Sequence, residues 1–254
     1  MEQRKTHIDF LKSTLYLLSV LLAFGLTSCN LIVKNSKDVL GGQTQTITYG
    51  DYSIDIDKWG RVIHLDPQLK RMTGHYIVTR EGTVYEELDL SDGFLDGIHL
   101  TYNSEGGISA EKTYSDGILD GPETTFHVSG ALKSEAVYEK GKLIGKETTY
   151  TPSGEISSVR EFDEHNVEYN SHYENGRMIT TDFKKNIDGA VYDLTVFYDI
   201  TENIKLIFGR REYQEKSSVF YVFDENFELI EAVNPQKNPE KAAAYFQQLG
   251  SLFN

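Results

Sequence analysis

The sequence predicts a mainly β fold: an elongated, twisted antiparallel sheet of stacked β-hairpin repeats, then a β-rich segment and one terminal helix. The heptapeptide "SDGFLDG", which starts at Ser91, recurs 24 residues later as "SDGILDG" and after 24 more as "EKGKLIG". Short segments between the glycines alternate apolar and polar residues, as half-buried strands do. The composition also favours strands, because 16 Tyr and 13 Phe occur against one Trp.

The first 28 residues are predicted to be a lipoprotein signal peptide and are excluded from the fold. Three basic residues occur within the first twelve positions, and an apolar run follows from Leu15 to Leu26. This run is too short to span a bilayer, which takes about 20 apolar residues. The next segment, "LTSC", resembles the lipobox of bacterial lipoproteins. The resemblance implies cleavage between Ser28 and Cys29 and a diacylglycerol on Cys29.

The alternative interpretation of this segment is an ordinary secretory signal with a chance cysteine. Lipidation is favoured because Cys29 is the only cysteine in 254 residues and occupies the position that the lipobox requires. Two or three acyl chains hold a protein on a membrane firmly, since each buried CH₂ contributes ~0.8 kcal/mol. The chain is therefore predicted to be exported and lipid-anchored to a bacterial membrane, the outer membrane or cell surface in a Gram-negative cell.

The mature chain is predicted to be strongly acidic. Residues 1–28 hold three of the 25 basic and two of the 39 acidic residues, so residues 29–254 keep 22 against 37, a formal charge of −15. Such a surface repels phosphate groups, which disfavours nucleic acid and anionic headgroups as partners. Another protein is the predicted partner, and no small-molecule substrate or cofactor is evident. An acidic surface that serves only solubility is the alternative.

The 24-residue period covers far more than seven letters, because glycine, leucine and aromatic residues share positions across three copies. A glycine at one turn position also recurs upstream and downstream of these copies. Its six occurrences are separated by 22, 24, 24, 24 and 22 residues. We therefore predict six units over residues 49–185, preceded by a lipidated cysteine and polar tether over residues 29–48. The turn glycines are Gly60, Gly82, Gly106, Gly130, Gly154 and Gly176.

Each unit is predicted to contain two short strands. The segment "IHLTYN" places Ile98, Leu100 and Tyr102 on one face at period two, and "ISAEKTY" returns after the turn "SEGG". Asp-Gly and Ser-Gly pairs suit tight hairpin turns. Two aromatic positions are predicted to form rows across the sheet, either as core or as an exposed partner-binding surface. The first row is Tyr102, Phe126 and Tyr150, and the second is Tyr114, Tyr138 and Phe162.

The pattern G-x-x-x-G, aromatic, x-x-x-G-x-aliphatic, aromatic resembles the MORN repeat, especially the bacterial MORN variant of YwqK-type antitoxin proteins. The resemblance is good over residues 93–162 and weaker over 50–92 and 163–185. It implies hairpins that pair into one long sheet. Pro122 departs from the pattern and predicts a strand start or sheet edge, because proline cannot donate to a ladder. The YD repeat of toxin shells is the rival, but those shells need many more than six copies.

Beyond Lys185 the sequence period ends, and residues 186–254 are predicted to form β strands and a capping helix. Strands are predicted over residues 190–199, 204–213, 218–223 and 227–233. Asn238 is a predicted N-cap, with Pro239 at the first helical position. The apolar face of this helix is predicted to be Ala242, Phe246, Leu249 and Phe253.

No catalytic motif is evident, and His99 and His127, which lie on predicted strands, do not share a repeat position. Repeated aspartates at turns can bind calcium, but the positions of Asp92 and Asp96 become Lys140 and Ile144 in the third copy. A turn-forming role for these aspartates is therefore the better interpretation, and no metal site is predicted. The sequence predicts a non-catalytic, membrane-anchored protein-binding scaffold. An antitoxin or immunity protein of the YwqK type, which masks a toxin domain, is the alternative.

Overall fold

The computed structural model describes residues 44–213 and 218–250, so the predicted signal peptide and Cys29 lie outside the described residues. Strands account for most of these ranges, and a helix follows them. The elements are β1 Gln45–Thr48, β2 Ser53–Ile56, β3 Val62–Leu65, β4 Gly74–Arg80, β5 Thr83–Ser91, β6 Phe94–Tyr102, β7 Ile108–Ser115, β8 Ile118–Phe126, β9 Leu132–Glu139, β10 Lys142–Leu143, β11 Lys146–Tyr150, β12 Ile156–Phe162, β13 Glu168–Glu174, β14 Arg177–Ile187, β15 Ala190–Tyr198, β16 Ile204–Arg211, β17 Phe220–Phe223, β18 Leu229–Val233 and α1 Pro239–Gly250.

Within the described ranges, sixteen strands form one sheet, and β2 and β3 form a separate hairpin. From β4 to β18 the strand order follows the chain, except that the short β10 pairs only with β9. All pairs of the large sheet are antiparallel apart from β1 and β4, which are parallel. These observations confirm the predicted class: a mainly β, antiparallel hairpin array with a C-terminal helix.

Two-residue turns join one set of neighbouring strands. In the turn between β5 and β6, Asp92 and Gly93 have φ of 47° and 82°, and the flanking Ser91 and Phe94 pair with each other. Positive φ at both positions is the signature of the type I′ turn, whose twist matches that of the strands. The same geometry recurs at 81–82, 116–117, 140–141, 175–176 and 188–189.

Five-residue turns make most of the other connections. In the turn after β6, the Asn103 N–H donates to Gly107 O (2.8 Å), and the Gly106 N–H donates to Asn103 O (3.0 Å). Asn103 Oδ1 accepts the N–H groups of Glu105 and Gly107. The fourth residue has positive φ. The same backbone pair of hydrogen bonds occurs at 57–61, 66–70, 127–131, 151–155, 163–167, 199–203 and 224–228.

The predicted column of turn glycines therefore contains two turn types. Gly106, Gly130 and Gly154 lie in five-residue turns of the large sheet, whereas Gly82 and Gly176 lie in two-residue turns. Gly60 also lies in a five-residue turn, but in the separate β2–β3 hairpin, so the first predicted unit is not part of the large sheet.

The predicted boundary at residues 185–186 is wrong, because β14 crosses it and the hairpin array continues to β18. The glycine period ends because Asn166, Glu202 and Phe227 hold the left-handed turn position instead of glycine. Asp163, Asp199 and Asp224 start these turns and accept two N–H groups each, as Asn103 does. The predicted tether over residues 29–48 includes Gln45–Thr48, but these four residues form strand β1 and pair with β4.

Pro122 lies inside β8 and pairs with Val137 of β9, so the prediction of a strand start or edge is wrong. On the other side of β8, the register with β7 shifts between Lys112 and Tyr114, which marks a bulge. In the preceding repeat the same position is Ile98, whose N–H donates to a side-chain oxygen of Asp89 (3.1 Å). Because this bulge position can dispense with a ladder hydrogen bond, proline fits it.

The terminal helix α1 begins as predicted, and Ala242 N–H donates to Asn238 O (3.1 Å). Its packed face differs from the prediction. Ala242 is buried, and Tyr245 and Leu249 pack on the same cluster, whereas Phe246 is 52% exposed and Phe253 lies outside the described residues. The Phe246 ring still contacts Phe208 and Phe220 from its exposed position. Tyr245 adds a second ring against these two residues, and its hydroxyl donates to Glu231 (2.5 Å).

Buried side chains concentrate towards the two ends of the sheet. In residues 44–213 and 218–250, no residue of β7 to β12 belongs to a buried hydrophobic cluster. The central strands are therefore a single layer. The first cluster is Met72, Tyr76, Val78, Leu88 and Leu90; the second is Tyr192, Leu194, Val196, Ile207 and Phe223; the third is Leu206, Val222, Val233 and Ala242.

Successive two-residue turns are hydrogen-bonded to the repeat before them. The Gly117 N–H donates to Leu95 O, and the Gly141 N–H donates to Leu119 O, both at 2.8 Å. The Gly93 N–H donates in the same way to Met72 O (2.7 Å). At these three turns, the bonds join a repeat to the one before it, in addition to the hydrogen bonds between strands.

Replacement of Gly117 by alanine is expected to destabilise the chain by ~1–2 kcal/mol, because φ is +76° there. The added Cβ would also lie 3.1 Å from Phe94 Cδ1. Gly141→Ala is the matched control, since φ is +79° and the nearest atom, Ile118 Cγ2, would lie at 3.5 Å. Urea unfolding should show a larger loss for Gly117→Ala, and equal losses would contradict a role for the Phe94 contact.

Candidate binding faces of the sheet

The two predicted aromatic rows lie on opposite faces of the sheet. Tyr102 Oη donates to Glu87 Oε1 (2.5 Å), while the Tyr114 ring lies 6.2 Å from the ring of His99, whose Nε2 is 3.0 Å from Glu86 Oε2. Glu86 and Glu87 are consecutive in β5, so they point to opposite faces. We name the face with Tyr102, Phe126 and Tyr150 the Tyr102 face. The face with Tyr114, Tyr138 and Phe162 is the Tyr114 face.

All six aromatic residues of the rows are partly exposed, and Phe162 is 37% exposed. In the described part of the chain, none of them belongs to a buried cluster. The rows are therefore half-covered surfaces of a single-layer sheet. Their burial comes from neighbouring side chains on the same face, as in cross-strand pairs.

The Tyr114 face pairs its charges. Lys112 Nζ lies 2.6 Å from Glu123 Oε1 on the next strand. Arg160 forms an ion pair with Glu147 across β11 and β12. Burial raises the pKa of Tyr138, and the positive charge of Arg160 opposes this shift. Because each of these cations has a carboxylate partner, the centre of this face is electrically balanced.

The Tyr102 face carries a row of tyrosine–glutamate hydrogen bonds with one gap. Tyr150 Oη donates to Glu135 Oε1 (2.5 Å), as Tyr102 donates to Glu87. Burial and the bond to Glu135 raise the pKa of Tyr150 to about 12. The intervening repeat has Phe126 in place of the tyrosine, so Glu111 lacks the corresponding donor. No hydrogen bond or ion pair of the Glu111 carboxylate occurs with any described residue.

Apolar side chains surround this gap. Pro122 is exposed and pairs with Val137, which is 51% exposed. Ile98 is 37% exposed and pairs with Thr113. The Tyr102 face therefore combines apolar surface with an unpaired carboxylate. This composition suits a partner that presents apolar and cationic side chains.

Sequence reasoning missed the glutamates of this row. Glu87, Glu111 and Glu135 follow the 24-residue period, so the repeat alignment contained the signal that could have found them. Their pairing with the aromatic row spans 15 residues and depends on strand register.

A polar cluster at the N-terminal end of the sheet holds the β2–β3 hairpin on the Tyr114 face. Tyr52 Oη donates to Glu86 Oε1 (2.6 Å), and His99 Nε2 contacts the other oxygen. Burial would raise the pKa of Glu86, but these hydrogen bonds outweigh it and the pKa is lowered. The buried His64 has its Nδ1 3.2 Å from Gly93 O, so Nδ1 carries the hydrogen. Burial lowers the pKa of His64.

The aspartates of the two-residue turns contact arginines of the preceding segment. Asp92 Oδ2 lies 2.7 Å from Arg71 Nη1, and Asp116 forms an ion pair with Arg61. Both aspartates have left-handed φ, in agreement with a turn-forming role. Among the described residues, no group of three or more His, Cys, Asp or Glu side chains has the geometry of a metal site.

No family model matches the chain, and no curated protein is similar to it. Membership of the MORN-variant family therefore stays a prediction from the repeat pattern. Over residues 44–213 and 218–250, no helix is long and apolar enough to cross a membrane.

The buried His64 is expected to make the fold less stable as pH falls from 7 to 5. Its pKa is lowered in the folded chain, so the unfolded chain takes up a proton first, near the ordinary value of ~6.5. His64→Asn keeps a donor for Gly93 O and does not titrate. Urea unfolding at pH 7 and pH 5 should show a smaller loss of stability for this variant. An equal loss in both proteins would contradict the assignment.

Phe126→Tyr is expected to raise the free energy of unfolding by ~0.5–1 kcal/mol, because the new hydroxyl can donate to Glu111 as Tyr102 does to Glu87. Tyr150→Phe is the reciprocal variant and should lower stability by a similar amount. Thermal melts of the three proteins test this. If neither change moves the melting temperature, the tyrosine–glutamate row does not stabilise the sheet.

Proposed function

We propose that this chain is a membrane-anchored bacterial lipoprotein that presents its repeat sheet as a non-catalytic protein-binding scaffold. The lipobox-like segment before Cys29 supports the anchor, and the open sheet supports the scaffold. The acyl chains on Cys29 would hold the protein at the membrane. The central strands would then offer their side chains to a second protein.

The single observation that carries the scaffold is the uncovered centre of the sheet. No described residue of β7 to β12 belongs to a buried cluster, although these strands carry both aromatic rows. Exposed apolar surface of this kind marks interaction sites in soluble proteins. A sheet held by ladder hydrogen bonds is already ordered, so binding costs little conformational entropy.

The Tyr102 face supports a basic partner. Its central repeat leaves Glu111 unpaired beside Pro122 and Val137, whereas the central charges of the Tyr114 face are paired. The formal charge of −15 on residues 29–254 would also attract a basic protein. Because charge complementarity raises the association rate and selects partners, the Tyr102 face is the better binding surface.

The second candidate function is the antitoxin or immunity role implied by the YwqK-type resemblance. The observation that favours it is again the unpaired Glu111 on an acidic chain, which suits a basic toxin domain. Rescue of cells that express such a toxin would separate this role from a general scaffold.

Site-specific photo-crosslinking in intact membranes tests the scaffold. A photoreactive amino acid in place of Val137 on the Tyr102 face is expected to give a defined cross-linked product. The same group in place of Phe162 probes the Tyr114 face, and Cys29→Ser is the unanchored control. Glu111→Gln should lower the yield at Val137, whereas Glu105→Gln, the same charge change in an exposed turn, should not. If neither position gives a cross-linked product, the scaffold proposal is contradicted.

A further inference from the structure

The β2–β3 hairpin carries an exposed apolar patch. Trp59, the only tryptophan of the chain, is 70% exposed. Ile54 and Ile56 are 62% and 64% exposed, and Ile56 pairs with the partly exposed Val62. An open groove lined by Trp59, Val62 and Ile118 continues the patch onto the large sheet. We name Ile54, Ile56, Trp59, Val62 and Ile118 the Trp59 patch.

Other residues attach this hairpin to the sheet. Arg61 forms ion pairs with Asp57 and Asp116, and its guanidinium lies 4.0 Å from the centroid of the Phe94 ring. Ile63 and His64 are buried. Because these contacts already hold the hairpin, packing does not account for the outward side chains. Large exposed apolar patches on soluble domains mark interaction surfaces.

The composition of the Trp59 patch is that of the bilayer interface. The Lys58 ammonium lies 4.1 Å from the centroid of the Trp59 ring, and the Arg61 guanidinium lies 5.4 Å from it. Tryptophan is enriched at the headgroup level, where its ring is in apolar surroundings and its N–H stays near water. Basic side chains beside such a ring keep their charges in the headgroup region.

The position of the hairpin in the chain identifies the occupant. Gln45, the first residue of β1, lies sixteen positions after Cys29, and a fully extended chain over sixteen positions reaches about 55 Å. Acyl chains on Cys29 would therefore keep the hairpin close to the bilayer. A tethered surface binds at high effective concentration, so a weak intrinsic affinity is sufficient.

We propose that the Trp59 patch rests on the surface of the anchoring membrane, with Trp59, Ile54 and Ile56 in the interface, and so orients the repeat sheet. This inference rests on the proposed lipid anchor. The surface fits zwitterionic headgroups, because the acidic chain repels anionic ones.

Fluorescence of Trp59 tests the proposal without added labels, because the chain has no other tryptophan. The full chain, purified from membranes of expressing cells, is reconstituted into phosphatidylcholine vesicles. The Trp59 emission is expected to shift to shorter wavelength than in detergent-free Cys29→Ser protein. A quencher on the lipid chains should reduce the emission, and aqueous acrylamide should not. Emission that stays fully open to acrylamide in anchored protein would overturn the proposal.

The variant Ile54→Ser/Ile56→Ser is expected to lose this shift, because it retains Trp59 but removes its apolar neighbours. Val128→Ser is the matched control, since Val128 is also 62% exposed but lies in the turn after β8, and it should keep the shift. Added phosphatidylglycerol should not strengthen the shift. Labelling with a radioactive fatty acid distinguishes a failure of the lipid anchor from a failure of the membrane contact. If the protein is not labelled, the proposed anchor is wrong. If it is labelled but Trp59 stays accessible to acrylamide, only the membrane contact of the Trp59 patch is wrong.

Discussion

The central repeats depend on hydrogen bonds that join three of the two-residue turns to the preceding repeat. The N–H groups of Gly93, Gly117 and Gly141 donate to carbonyls 21 or 22 residues earlier at 2.7–2.8 Å. These bonds form because each glycine has left-handed φ and no Cβ, so a neighbouring side chain can lie directly against its backbone. The 24-residue period of the sequence is the number of residues from one of these glycines to the next.

Because of these bonds, the middle strands of the sheet need no buried core. Both faces of the middle strands are therefore accessible to solvent. The ends of the sheet bear the buried clusters, one of them around Leu88 and Leu90 and another against α1. The centre keeps half-exposed aromatic rows on both faces. The central cations of the Tyr114 face form ion pairs, whereas Glu111 on the Tyr102 face lacks a hydrogen-bond or ion-pair partner among the described residues. The two faces therefore suit different partners.

The sequence predicted the hairpin array where glycine recurs at a regular spacing, and it missed the continuation of the array where that spacing is lost. The hairpin organisation of residues 93–162 was predicted because glycine recurs at left-handed positions of both their two-residue and their five-residue turns. The strands beyond residue 185 were predicted, but their membership of the array was missed. Their five-residue turns begin with an aspartate and have Glu202 or Phe227 instead of glycine at the left-handed position. The tyrosine–glutamate row and the place of Pro122 depend on bulges that shift the register, which alternation alone does not reveal.

Native-state hydrogen exchange at the Gly117 and Gly141 amides tests whether the turn bonds hold the repeats together. Both amides lie in turns at strand ends, yet they are expected to exchange as slowly as the backbone amides within β7 and β8, because the turn bonds and the central strands open together. Rapid exchange at both glycines, with β7 and β8 still protected, would show that the turn bonds do not hold the repeats together.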